Sequence, residues 1–269
     1  MTSADTPPRE SGAGDPPSIL SKAFDLLRAF NPYARVMTLS ELARASGLPK
    51  STVHRLLARL VELGVVEHHR GGYKIGLDML QLCASTPAGY MRDLAMPYLT
   101  KLHRWCGHTV HMAVLRHYDV VYLEKLSVSE SPTSITSVGA RLPAHCTALG
   151  KALLAHENLD DLRDFLPRPL PALTPRSITG VEVLIDELRQ VRADGVAREC
   201  EEAQLGLACL AAPICMNGFA VGAISVGFPM EFAPPPNLAG ALRATAAQIG
   251  SDVDAGLGGG RERWFPREI

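Results

Sequence analysis

The chain has 269 residues, 46% hydrophobic and 20% charged, which is ample material for two ordinary domains with their own cores. No apolar run reaches the roughly 18 residues of a membrane span, and the opening segment lacks the basic start and apolar stretch of a secretory signal. The formal net charge of −1 hides an asymmetry: residues 18–76 hold nine Lys/Arg against four acids, and residues 77–269 hold 17 against 21. A basic module on a mildly acidic body points to a polyanion met by the module alone.

Residues 1–17, rich in Pro, Gly, Ser and Thr, read as a disordered tail. Leu20, Ala23, Phe24 and Leu27 recur at helical spacing and predict a first helix over 18–30, with Pro32 soon after to stop it. Thr38-Leu39-Ser40-Glu41 has the form of a capping box and opens a short helix to Ser46, closed by Gly47. Pro49 suits the first turn of a third helix, in which Val53, Leu56, Leu57 and Leu60 form one apolar stripe. After Gly64, Val65–Glu67 and Tyr73–Ile75 predict a hairpin with a glycine turn and basic residues at its tip.

A linker helix is expected over 77–91, with Leu77–Cys83 read as its helical segment, preceding a domain over 92–255. There, strands are predicted at Thr109–Leu115, Val120–Leu126, Cys209–Cys215 and Phe219–Gly227, the last two joined by a tight turn at Asn217-Gly218. Helices are predicted at Tyr90–Cys106, Ala148–His156, Asp160–Leu166, Gly180–Ala193 and Asn237–Ala255. This mixed order predicts an α+β domain on an antiparallel sheet, followed by a flexible tail over 256–269. The six cysteines form no C-x-x-C pair, which predicts free, mostly buried thiols in a reducing cytoplasm.

Three helices with a glycine turn and a following basic hairpin describe a winged helix-turn-helix over 18–76. In such a module the third helix buries its stripe and presents the opposite face to the major groove of double-stranded DNA. Ser40, Lys50, Ser51, Thr52, His54, Arg55 and Arg59 are the candidate contacts on the helices. Arg70 and Lys74 on the wing would neutralise backbone phosphates without reading sequence.

The stretch LSELARASGLPKSTVHRLLARLVELGVVEHHRGGYKIG resembles the DNA-binding domain of the IclR family of transcription regulators. Residues 139–155 (GARLPAHCTALGKALLA) and 194–214 (DGVARECEEAQLGLACLAAPI) are similar to that family's effector-domain segments. The resemblance covers about 18–255. It implies a GAF-like or profilin-like effector domain, dimers or tetramers, no cofactor, and a small organic effector, often a carboxylate or aromatic acid of a catabolic pathway. It further implies a pocket built from His145, Ala148, Leu149, Gly150, Glu199, Cys209 and Ser225, with Ser131 and Ser134 on a facing loop. Gly227 stands where some members have a serine, and Glu199 would repel a carboxylate unless protonated or turned to a hydroxyl. Read singly, Cys209 is as well explained as a small core residue, and Ser225 as a partner for a backbone group.

Enzyme chemistry has weaker support. His145-Cys146 on an extended chain would point in opposite directions and make no thiol–base pair. Gly150-Lys151-Ala152 lacks the earlier glycine and the Ser/Thr of a phosphate loop. His103, His108, His111 and His117 do not have metal-ligand spacing, and His108 and His111 are expected on opposite faces of a strand. The alternative to a DNA-binding regulator is a small-molecule sensor or enzyme whose helical module makes protein contacts.

Overall fold

A computed structural model describes residues 18–31, 34–127 and 135–256. The expected tails lie outside this range apart from Gly256, and so do Pro32, Ser131 and Ser134. The chain divides into two compact units between Thr86 and Pro87.

The first unit holds α1 (Ile19–Arg28), α2 (Leu39–Ser46), α3 (Lys50–Glu62), β1 (Val66–His69), β2 (Gly72–Ile75) and α4 (Asp78–Ala84). The capping box forms: the Thr38 hydroxyl accepts from the Glu41 amide at 3.3 Å, and the Glu41 carboxylate accepts from the Thr38 amide at 2.8 Å. Gly47 ends α2 in the left-handed region, φ 68°, where a β-carbon would be strained. Pro49 stands at the N-cap of α3, one residue before the predicted first turn. Val53, Leu56, Leu57 and Leu60 are all buried against α1 and α2, together with Leu26 and Leu42.

Two expectations for this unit are corrected. Of the predicted α1 stripe, Ala23 and Leu27 are half-buried, but Leu20 and Phe24 stay 69% and 56% exposed; Leu26 is the buried residue. The linker helix drawn over 77–91 is not continuous: the helix read at Leu77–Cys83 is α4, and the one read from Tyr90 starts earlier, as α5 (Pro87–Cys106). They are separated at Ser85 and Thr86, whose hydroxyls bond the Leu82 and Cys83 carbonyls.

The second unit is a six-stranded antiparallel sheet in the order β5-β4-β3-β8-β7-β6. Its strands are β3 (Thr109–Arg116), β4 (Asp119–Leu126), β5 (Arg141–Pro143), β6 (Ala197–Cys200), β7 (Leu207–Met216) and β8 (Phe219–Pro229). Helix α5 and α9 (Leu238–Gly256) cover one face, with Met91, Leu99, Met112, Ile224 and Leu242 in the core between. Helices α6 (Ala148–Leu154), α7 (Leu159–Phe165) and α8 (Val181–Asp194) cover the other, with Leu184 and Leu188 of α8 in one core with Ala113, Ala211 and Ala223 of the sheet. Alanines on that face let α6 approach the sheet closely. Strands β5 and β6, both at the edges, were not predicted: at three and four residues they carry little pattern.

A bulge in the β3–β4 pair sets side-chain direction. Ala113 pairs with Tyr122 and Met112 with Glu124, so Leu123 is the extra residue. Glu124 is thereby turned to the α5 face, where Arg92 binds it at 2.6 Å, and Lys125 is turned to the α6 face opposite His111. His145-Cys146 forms a 3-10 turn rather than the extended segment assumed, and His108 precedes β3 rather than lying within it. The thiols are free but not mostly buried. Cys106 and Cys146 are buried, while Cys83 on α4 and Cys200 on the edge strand are exposed.

Candidate functional site

On the first unit, α3 carries its apolar stripe inward, which leaves Lys50, Ser51, His54, Arg55 and Arg59 exposed and Thr52 half-exposed. Ser40, in the first turn of α2, is exposed as well. Among these cations Arg59 is ion-paired with Glu62 on the same helix, which competes with any phosphate for it. Arg70 and Gly71 are the two residues between paired His69 and Gly72, both at positive φ (39° and 83°), and make a tight hairpin turn with Arg70 exposed at its tip. Lys74 is held at 2.9 Å by Glu67 across the hairpin, so of the two predicted wing cations Arg70 is better placed for a phosphate. Sequence reading missed the wing's third strand: Met37 and Tyr73 exchange backbone hydrogen bonds at 2.9 and 2.8 Å. A one-residue bridge leaves no period to detect.

On the second unit, the face under α6 encloses a cavity of about 50 Å³. Ala148, Leu149, Glu199, Cys209 and Ser225, all expected there, line it. His145 and Gly150 do not. The His145 ring bonds the Pro171 carbonyl at 2.8 Å, and Gly150 packs against the backbone of Ala144. His111, Tyr122, Ile135, Thr136, Leu142, Thr147, Gln204 and Leu207 complete most of the wall and were not predicted. Register explains two of them: His111 lies directly across from Ser225, and Tyr122 from Ala113. Alternation along β3 and β4 gives the face, but pairing partners are not written in either strand alone.

The cavity's polar groups are held in defined states. The Oε1 atom of Glu199 accepts from the Glu202 and Ala203 amides at 2.7 and 3.2 Å, and the Cys209 thiol bonds the same carboxyl. Burial nevertheless dominates and raises the Glu199 pKa above its usual range. Burial, then the Lys125 charge, lowers the His111 pKa to about 3, so the ring is neutral; its Nε2 lies 3.0 Å from the Thr136 hydroxyl. Burial likewise pushes up the Tyr122 hydroxyl and the Cys209 thiol, the latter further raised by Glu199. Behind Glu199, the fully buried Lys151 donates to Glu187 and Glu202 at 2.6 Å each and to the Arg198 carbonyl at 3.2 Å. Lys151 thus pins α6, α8 and the β6–β7 turn together.

A winged helix-turn-helix in one unit and a lined cavity in the other define the class: a DNA-binding transcriptional regulator that responds to a small molecule. Comparison with known proteins agrees. The IclR helix-turn-helix domain matches residues 19–70, and the family described as the bacterial transcriptional regulator IclR C-terminal matches residues 88–251. The chain is 32% identical over 209 residues to the Pca regulon regulatory protein of Pseudomonas putida, covering 75% of this chain and 71% of that one. It is 31% identical over 246 residues to the glycerol operon regulatory protein of Streptomyces griseus, covering 88% and 96%. Among solved structures it resembles an IclR homolog from Microbacterium hydrocarbonoxydans complexed with 4-hydroxybenzoate. That match has a TM-score of 0.79 and 28% identity, over 88% of this chain and 100% of the other. The chain belongs to the IclR family of bacterial transcriptional regulators, which are DNA-binding regulators rather than enzymes.

Proposed function

We propose that this regulator binds its operator as a dimer or tetramer in the cytoplasm and changes its hold on DNA when a small organic acid of a catabolic pathway, an aromatic acid among them, fills the cavity under α6. The observation that carries this reading is the lining itself. Hydroxyls of Thr136, Thr147 and Ser225 and the carboxyl of Glu199 meet the apolar Leu142, Leu149 and Leu207, the mixture a small amphipathic ligand needs. The cavity of about 50 Å³ is well below the roughly 150 Å³ that holds a benzene ring. An aromatic acid therefore enters only with outward movement of one wall.

Self-association is supported by apolar surface on the first unit: Ile19, Leu20 and Phe24 on α1, and Leu77, Leu80 and Leu82 at α4, are exposed. Two-fold symmetric pairing also gives a regulator two half-site contacts on DNA. The reading is tested by thermal shift of the full chain against small aliphatic and aromatic acids and their neutral amides, since a ligand of the folded state raises its stability. The expected result is a rise in melting temperature with at least one acid, absent in Ser225→Ala. A panel in which only neutral compounds stabilise the chain would overturn it.

A further inference from the structure

Charge around the cavity is unbalanced for an acid ligand. Among the described lining residues there is no lysine or arginine, while Glu199 supplies a carboxyl. The groups facing Glu199 do not correct this. Cys200 and Glu202 stand beside it on β6 and the following turn, Cys209 on β7, and Tyr122 across the sheet on β4. On the helix side, the Lys151 ammonium is shared by Glu187 of α8 and Glu202, one positive charge against two negative. Lys125, opposite His111 in the β3–β4 register, is bound at 3.0 Å to the Thr136 carbonyl and lies outside the lining. His111 itself is neutral, as burial requires.

We infer that an acid effector enters this cavity together with a proton, which Glu199 takes from solvent on Oε2, so that effector binding is proton-linked. The inference rests on the reading of the cavity as an acid-binding site. Two carboxylates in one water-poor site do not both stay ionised. The geometry selects where the proton goes. Oε1 of Glu199 is committed to two backbone amides, so Oε2 takes the proton, and the Cys209 thiol that bonds this carboxyl turns aside as Oε2 donates to the ligand carboxylate. Burial already biases Glu199 toward the protonated form, which makes the uptake inexpensive. Glu202 is the competing acceptor, since its Oε2 is buried without a hydrogen-bond partner, but Glu202 is not among the residues that line the cavity and its other oxygen is held by Lys151.

Titration calorimetry of the full chain with 4-hydroxybenzoate and benzoate, run at one pH in buffers of different ionisation enthalpy, measures the protons taken up. The neutral isosteres 4-hydroxybenzamide and benzyl alcohol serve as controls. Above the Glu199 pKa the acids should bind with uptake of about one proton and lose affinity about tenfold per pH unit, while the neutral compounds show neither. Glu199→Gln should bind the acids with no uptake and a flat pH profile, and Glu202→Gln should keep both. Acid binding without uptake in the unaltered chain, or uptake that persists in Glu199→Gln, overturns the inference and leaves the acid-binding reading intact. Binding of the neutral compounds with no binding of either acid overturns both.

Discussion

At Gly150 an added Cβ would lie 2.1 Å from the Ala144 carbonyl oxygen and 2.3 Å from the Ala144 Cα. Both are backbone atoms of the turn that leads into α6, so neither can rotate away. Gly150→Ala is expected to destabilise the second unit by about 1–3 kcal/mol through overpacking, read as a lower urea midpoint, and to weaken effector binding by displacing Ala148 and Leu149. Lys151, next in the chain, is fully buried among two carboxylates and a carbonyl. Removing its charge strands Glu202, and Lys151→Ala should cost about 3–5 kcal/mol, with Lys151→Ala/Glu202→Gln recovering part of it. His111 contributes a pH dependence of known sign. Its folded pKa of about 3 lies below the unfolded value of about 6.5. The stability it contributes is present above pH 6.5 and drains as pH falls toward 3. Glu199 and Glu202 act oppositely, because their folded pKa values are raised and the folded chain takes their protons first. Comparing urea midpoints of the unaltered chain and His111→Gln across this window isolates the histidine, and the variant should lose less stability on acidification.

At the scale of the element, α3 divides its labour by face. Val53 and Leu57 are fully buried, and each contributes about 1.5–3 kcal/mol by leaving water. Leu57→Ala should therefore unfold the first unit at markedly lower denaturant while the second unit's transition stays in place. The opposite face and the wing fail differently. Losing Arg70 should weaken binding to all DNA sequences alike and lower the salt slope by about one; titrations at several salt concentrations measure it. The elements with long apolar periods or a strong cap were legible in sequence: the α3 stripe, the Thr38–Glu41 box, the Gly47 turn and the Asn217-Gly218 hairpin all stand as expected. Those that exist only through pairing were not. Edge strands β5 and β6 and the Met37 bridge have too few residues for a pattern. The bulge at Leu123 reverses faces midway along β4, so alternation before it gives no guide to Lys125. The cavity shows the same limit: motif resemblance indicates Glu199, Cys209 and Ser225, whereas His111 and Tyr122 arrive through register.

For the molecule as a whole, the helix-turn-helix and the candidate effector cavity belong to separate compact units, and this separation makes the proposed division of labour testable. Substitutions in the cavity should alter response to an acid while ligand-free operator binding survives. Substitutions on α3 should do the reverse. Pairing of two copies through the exposed apolar residues of α1 and α4, as proposed above, would reach two half-sites at once. Phe24→Asp with Leu80→Asp is expected to shift the sedimentation of the chain toward the monomer and to abolish binding to a full site, leaving each unit folded. The most direct test of the central claim is fluorescence anisotropy with duplexes from the promoter region of this chain's own gene, set against a scrambled duplex of equal length. The account predicts that Arg55→Ala and Ser51→Ala collapse the preference for the promoter duplex, by about 1–3 kcal/mol for each lost base contact, while binding to the scrambled duplex is largely kept. An unchanged preference in both variants would contradict it.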